Sequence, residues 1–209
     1  MEDFAPTVYL VDDDLDLLSA MQRLLESVGM QVVAFPSAQA FLQEHERLAP
    51  GCLVLDLAMP GLNGLQLQRE LDEHASPLPI IFLTARGDIA SSVQAMKHGA
   101  IDFLTKPVDD FVLLAAIREA LATEQLRRRA QIERSRIEEC VATLTERELQ
   151  VLHQVVAGRL NKQIAADLGT VEKTIKFHRG NLMRKMGVRS VAELVKLANR
   201  VGIGTTPTG

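Results

Sequence analysis

Short apolar runs recur through the first half of the chain: TVYLV (7–11), QVVAF (31–35), CLVLD (52–56), PIIFLT (79–84) and AIDFL (100–104). Each is followed by a stretch in which apolar residues return every three or four positions. That alternation predicts five strand–helix units around one parallel sheet, because strands apolar on both faces need cover on both sides. In the first helical stretch, LDLLSAMQRLLESVG, helical spacing puts Leu18, Met21, Leu25 and Val28 on one stripe, closed by Gly29. Gly99 in AMKHGA closes another in the same way. A last helix begins near Asp110 and meets neither Gly nor Pro until Gly158. If about 30 of its residues are helical, it spans about 45 Å. Its irregular apolar spacing leaves two readings open: a solvated, Arg-rich connector that frays, or a helix that pairs with its twin in a dimer.

From Leu144 the pattern changes to four short helical segments, TERELQVLHQVVAG, NKQIAADLG, VEKTIKFHRGNLMRKMG and SVAELVKLANR, separated by Gly158, Gly169 and Gly187. Short helices joined by short turns predict a helix-turn-helix domain. No internal repeat is evident, and the tail GIGTTPTG is expected to be disordered. The expected organisation is therefore an α/β domain over 1–123, a doubly wound five-stranded parallel sheet of the flavodoxin-like kind. A helical linker follows over 124–140, then an all-α domain over 141–209.

Charge sharpens this division. The first 124 residues carry 7 Lys and Arg against 19 Asp and Glu, a net −12, whereas the remaining 85 carry 16 against 8, a net +8. The overall −4 hides an acidic half and a basic half, which implies two surfaces with different partners, the basic one suited to nucleic acid. Two cysteines, Cys52 and Cys140, make no disulfide framework, and Cys52 reads as a small buried residue at a strand start. MEDFAP is acidic where a signal peptide would be basic, and FVLLAAI is too short to span a bilayer. A cytoplasmic protein without a membrane partner is expected.

Candidate chemistry begins at VYLVDDD, where a buried strand runs into three carboxylates. At an effective dielectric of about 20, two carboxylates about 4 Å apart repel by roughly 4 kcal/mol, so something cationic must offset them. In an open parallel sheet, ligands sit beyond the carboxyl ends of the strands. Asp12 and Asp13 end the first strand and Asp56 the third, and these strands are neighbours in an order 2-1-3-4-5. The three carboxylates then converge on one rim. Such an all-oxygen set suits a hard divalent ion, Mg²⁺ or alternatively Mn²⁺. Thr84 and Lys106 bring a hydroxyl and an ammonium to the same rim, which equips it to accept a phosphoryl group on a carboxylate. Asp14, by contrast, reads as the N-cap of the first helix.

With LVDDD, LDLAMPGLNG, LTARGD and FLTKP in this order and spacing, residues 5 to about 123 resemble the receiver domain of two-component response regulators. The resemblance implies Asp56 as phosphoacceptor, served by a sensor histidine kinase. It also implies Asp12 and Asp13 in the metal pocket and the Ala58 carbonyl as a further ligand. Thr84 and Phe103 would form a switch pair, Lys106 would hold the phosphoryl group, and a cis peptide would precede Pro107. Val108 stands where a Phe often follows KP, which would alter packing at the start of the last helix.

In VEKTIKFHRGNLMRKMG, helical spacing sets Val171, Ile175, His178, Leu182 and Met186 on one face, expected to bury, with His178 a hydrogen-bonded core histidine. Lys173, Lys176, Phe177, Gly180 and Arg184 fall on the opposite face. Such a basic face suits a DNA major groove, and charge alone leaves an ordinary solvated face as the alternative. The motifs LTERELQVL, NKQIAADLG, KTIKFHRGNLMRKMGVRS and AELV resemble the helix-turn-helix of LuxR/FixJ/NarL-type regulators, and that resemblance favours DNA. It implies a recognition helix from Val171 to Gly187, with Lys176, Phe177 and Gly180 nearest the bases. Lys162, Lys173, Thr174, Arg179, Arg184 and Lys185 would reach phosphates. Val171 occupies the usual Ser or Thr capping position, and Thr170 is expected to take over the cap one residue earlier.

The function implied is a response regulator that takes a phosphoryl group on Asp56 and controls transcription from double-stranded promoter DNA. A phosphorylation-promoted homodimer and RNA polymerase are the further partners. An Asp-nucleophile phosphatase would need a DxDxT run after the first strand, and a nucleotide-binding kinase a Gly-rich phosphate loop; neither is present. The protein is expected to be no enzyme beyond Mg-dependent self-phosphorylation and autodephosphorylation. A competing reading is a phosphorylation-independent DNA binder whose receiver only dimerises.

Overall fold

A computed structural model describes residues 6–44, 50–73, 78–85 and 89–204. The chain divides into two compact units, Met1–Arg128 and Arg129–Gly209. The division falls within α5, Asp110–Ala142, inside the stretch read as a linker. Glu124 is buried in the first unit, and Ile137 is buried in the core of the second with Cys140 and Val141 packed against it. Both ends of that stretch therefore belong to packed units. Arg86, Gly87 and Asp88 of the LTARGD motif, and residues 205–209 of the expected disordered tail, lie outside the described residues.

In the first unit, strands β1 (Thr7–Val11), β2 (Gln31–Phe35), β3 (Gly51–Asp56), β4 (Ile80–Thr84) and β5 (Asp102–Thr105) form one parallel sheet of order β2-β1-β3-β4-β5. Helices α1 (Leu15–Ser27), α2 (Ala38–Glu44), α3 (Gly64–Glu73) and α4 (Ile89–Lys97) alternate with the strands. The period-two geometry of a strand explains why β1 and β3 are buried throughout. Val8, Leu10, Cys52 and Val54 enter one core with Leu18, Met21 and Leu25 of α1 and Leu113 and Ile117 of α5. Tyr9, Val11, Leu53 and Leu55 enter the other with Phe41 and Leu67. Beside β1, a Cβ on Gly51 would stand 1.8 Å from the Thr7 carbonyl oxygen, so no side chain fits where β3 starts.

The apolar stripe of α1 ends one turn earlier than the pattern implies. Val28 is exposed because it is the C-cap, its N–H turned back to Leu25 and Glu26 while Gly29 closes the turn at φ +81°. β5 starts two residues later than AIDFL suggests, since Ala100 and Ile101 still link α4 to the strand.

In the second unit, α6 (Glu146–Val156), α7 (Asn161–Asp167), α8 (Glu172–Lys185) and α9 (Val191–Arg200) enclose a core of Val151, Leu152, Val155, Ile164, Ile175, Leu182 and Leu194. The sequence T-E-R-E, residues 145–148, is a capping box: the Thr145 hydroxyl accepts from the Glu148 N–H, and the Glu148 carboxylate accepts from the Thr145 N–H. No described helix is long and apolar enough to cross a membrane.

Candidate functional site

The carboxyl ends of β1 and β3 lie side by side, which brings Asp12, Asp13 and Asp56 together. One carboxylate oxygen from each lies within 4.8 Å of the others. Asp12 and Asp56 are buried, while Asp13 is exposed at the mouth. Asp14 leaves the cluster as expected: its carboxylate accepts from the N–H groups of Asp16 and Leu17 and caps α1. Asp12 in turn accepts from the Asp14 N–H, and Asp56 from the Ala58 N–H at 3.0 Å, so the loops after both strands fix their carboxylates.

The cation demanded by this concentration of charge is Lys106. Its ammonium lies 2.5 Å from Asp12 Oδ2 and 2.7 Å from Asp56 Oδ1, from the position directly after β5, and a cis Lys106–Pro107 peptide follows it. Burial holds the Asp12 carboxyl above its ordinary value despite the opposing hydrogen bond from Lys106. Burial works against the charged lysine too, but the hydrogen bonds and charges of Asp12 and Asp56 outweigh it, and the Lys106 pKa is raised. The pocket thus holds a bridged but incompletely neutralised set of hard oxygen donors. That donor set fits a divalent cation, which when bound would screen the carboxylates and the oxygens of an incoming phosphoryl group. Thr84 is buried at the end of β4. Phe103 is half-buried on β5, its ring centroid 6.1 Å from that of Phe82. Gly64 seals the loop after β3: a Cβ there would meet the Asp56 carbonyl at 2.5 Å and Phe82 at 3.0 Å.

The basic helix α8 presents Lys173, Lys176, Phe177, Gly180 and Arg184 to solvent, with Phe177 66% exposed. Lys176 pairs with Glu172 at 3.0 Å, an exposed contact easily given up. Lys162 is exposed at the start of α7, and Thr174 is half-buried. Arg179 donates to Asn161 Oδ1 at 2.8 Å and Arg184 to Asn181 Oδ1 at 3.1 Å.

Three expectations for this helix are corrected, and one of its basic residues is engaged within the chain. The Lys185 ammonium binds the buried Glu148 at 2.6 Å and the Thr143 carbonyl at 2.9 Å, so a phosphate would compete with both. Val171 is 65% exposed, because it is the N-cap and its extended backbone points the side chain away from the core. Thr170 does not take over the cap: α8 starts at Glu172 with Val171 as its N-cap, and no side chain caps it. His178 is only half-buried, its ring packed edgewise against Phe177 with centroids 5.8 Å apart. Sequence reasoning missed Glu148 as a site residue, although the T-x-x-E capping signature marks it. It also missed Gln68, buried on α3, whose Nε2 donates to the Ala95 and His98 carbonyls at the end of α4; no spacing signal announces that contact.

A carboxylate pocket made for phosphoryl groups and an exposed basic helix define a class of protein, the regulators that turn a covalent signal into a change at DNA. Residues 8–118 match the response regulator receiver domain, and residues 142–198 match the bacterial regulatory proteins of the luxR family. The chain is 44% identical over 201 residues to response regulator protein TodT of Pseudomonas putida, covering 96% of this chain and 88% of the relative. It is 40% identical over 205 residues to transcriptional regulatory protein FixJ of Azorhizobium caulinodans, covering 96% and 97%. Its fold matches the response regulator StyR with a TM-score of 0.84 at 44% identity, covering 94% of this chain and 99% of that one. The chain belongs to the response regulators with a LuxR-type DNA-binding domain. It is a transcriptional regulator of that family, and phosphorylation on an aspartate, a sensor kinase partner and DNA binding follow from the family.

Proposed function

We propose that Asp56 is the phosphoacceptor, that Mg²⁺ (or Mn²⁺) binds to Asp12, Asp13, Asp56 and the Ala58 carbonyl, and that a sensor histidine kinase is the donor. The observation that carries this reading is Lys106, whose ammonium spans the buried Asp12 and Asp56. A lysine so placed can leave the carboxylates for phosphoryl oxygens without crossing the pocket. In the transfer, an Asp56 oxygen bonds to phosphorus as the phosphorus–nitrogen bond to the kinase histidine breaks, and that nitrogen takes a proton. The same pocket gives slow self-phosphorylation from small donors and autodephosphorylation by water.

Thr84 and Phe103 then act as the switch: the Thr84 hydroxyl moves to the new oxygens and the Phe103 ring follows into the space released. Receivers pair through the surface of the fourth and fifth units, and the resulting homodimer sets two recognition helices on half-sites about 34 Å apart. At each half-site Lys176, Phe177 and Gly180 read bases, while Lys162, Lys173, Thr174, Arg179 and Arg184 hold phosphates. The working partners are double-stranded promoter DNA and RNA polymerase, in the cytoplasm.

Incorporation of phosphate from acetyl phosphate with Mg²⁺ tests the acceptor. Asp56→Asn abolishes labelling with the fold intact; equal labelling mapped to another residue refutes the assignment. Sedimentation with beryllofluoride and Mg²⁺, for the parent and Thr84→Ala, tests the switch. An unchanged monomer mass together with unchanged DNA affinity would leave a phosphorylation-independent DNA binder.

A further inference from the structure

Two consecutive residues of α6 hold the end of α7 and the last turn of the recognition helix α8. Arg147 donates through one guanidinium nitrogen to the Leu168 carbonyl at 2.6 Å, in the turn that leads into α8, and through the other to Gln150. Glu148, the next residue, receives Lys185 from the last turn of α8 at 2.6 Å. The Glu148 side chain is 5% exposed and that of Lys185 29%. Glu148 is itself held by the Thr145 N–H. The same lysine also donates to the carbonyl of Thr143, the residue after the end of α5. A basic residue on the helix proposed to carry the base contacts is thus directed inward, to one buried carboxylate and one carbonyl of the turn after α5.

We infer that Lys185 is a positioning residue, which acts through Glu148 and the Thr143 carbonyl to fix the angle at which α8 meets DNA and to join that angle to the end of α5. The inference rests on α8 being the base-reading helix. Geometry favours positioning over phosphate binding. Reaching a phosphate would leave Glu148 as an unpaired buried carboxylate, and loss of one partner from a buried pair is costly. The lowered pKa of Glu148, set first by its hydrogen bond from Lys185, agrees with a pair kept intact in the folded domain. Any displacement of the turn after α5 then reaches α8 through one side chain, with no intervening core rearrangement.

The test uses the full chain with beryllofluoride and Mg²⁺, a duplex that the parent selects from a random pool, and a scrambled duplex of equal length. Lys185→Met, Lys185→Gln, Glu148→Gln and the double variant Glu148→Gln/Lys185→Met are compared, with helicity checked by circular dichroism. Lys185→Met is expected to weaken the selected duplex about tenfold, with the scrambled duplex and the slope of log affinity against log salt nearly unchanged. The double variant should be no weaker than the weaker single one, and Lys185→Gln, which keeps a donor but no charge, should recover part of the loss. A phosphate contact gives the opposite pattern: the slope falls by about one, both duplexes weaken alike, Gln does not recover binding, and the double variant is additive. That pattern, or unchanged affinity for the selected duplex, overturns the inference. A parent that holds both duplexes equally overturns the base-reading role of α8 as well. If Lys185→Met fails to fold, the comparison of Lys185→Gln with the parent on slope and selectivity decides the matter alone.

Discussion

Replacing Lys106 with Met removes the one cation among the described residues that bridges Asp12 and Asp56, and leaves two buried carboxylates beside exposed Asp13. Each lost pair is worth roughly 4 kcal/mol at about 4 Å and an effective dielectric of about 20, and breaking a buried pair from one side costs about 3–5 kcal/mol net. The protein has one escape, which is to protonate Asp12, already held above its ordinary value by burial. Protonating a carboxyl of ordinary pKa about 3.9 costs about 1.4 kcal/mol per pH unit, or about 4 kcal/mol at pH 7 and about 1.5 kcal/mol at pH 5. Those figures cap the damage. The sign follows from the direction of the shift: a carboxyl whose folded pKa is raised favours folding at low pH and opposes it as pH rises. The variant is therefore expected to be about 3–4 kcal/mol less stable than the parent at pH 7 and about 1–2 kcal/mol less at pH 5. Mg²⁺ should recover much of the difference at pH 7. The chain offers a clean assay, since it has one Tyr and no Trp, and that tyrosine is buried Tyr9 in β1. Urea unfolding followed by tyrosine fluorescence reads the first unit alone. An equal deficit at both pH values, or no recovery with Mg²⁺, would refute the reasoning that charge in this pocket sets its stability.

Three further expectations use other parts of the chain. Gly64→Ala places a Cβ against the Asp56 carbonyl and Phe82, so the same fluorescence assay should show a loss of about 1–3 kcal/mol; an unchanged midpoint would mean that the loop after β3 yields freely. Cys52 is fully buried, and burial, with the charge of Glu124 behind it, pushes its thiol up to about 12. Titration with a disulfide reagent at pH 8 should find half-buried Cys140 reactive and Cys52 silent until urea is added, and two equally fast thiols would contradict this. Because its folded pKa is lowered, Glu148 contributes stability that is complete above its unfolded value near 4.3 and is lost as pH falls through the folded value. The gap in melting temperature between the parent and Glu148→Gln, read by circular dichroism, should be constant above pH 5 and shrink below pH 4. A gap independent of pH down to pH 3 would remove Glu148 from the ion pair.

The parts of this molecule that were legible in its sequence are those in which one local rule decides the outcome. Strand positions followed from runs buried on both faces, and the sheet order brought Asp12, Asp13 and Asp56 to a common rim, where the structure places their oxygens within 4.8 Å. What the pattern did not reveal depends on where long side chains turn. The sequence puts the Lys106 ammonium on the carboxylate rim, and only the structure shows that it bridges Asp12 and Asp56. For Lys185, helical spacing fixes only the direction in which its Cα–Cβ bond leaves the helix. Its four-carbon stem can fold back over the helix end, and the buried carboxylate of Glu148, 37 residues earlier, decides that it does. Thr170 does not cap α8 because the helix starts at Glu172 and Val171 holds the N-cap place, which leaves Thr170 one residue too early. For the two lysines the local options were visible and a non-local partner chose among them. Basic residues on α8 are for that reason not interchangeable: Lys173 and Lys176 lie exposed, Lys176 against its own-helix neighbour Glu172, whereas Lys185 reaches a buried carboxylate on another helix.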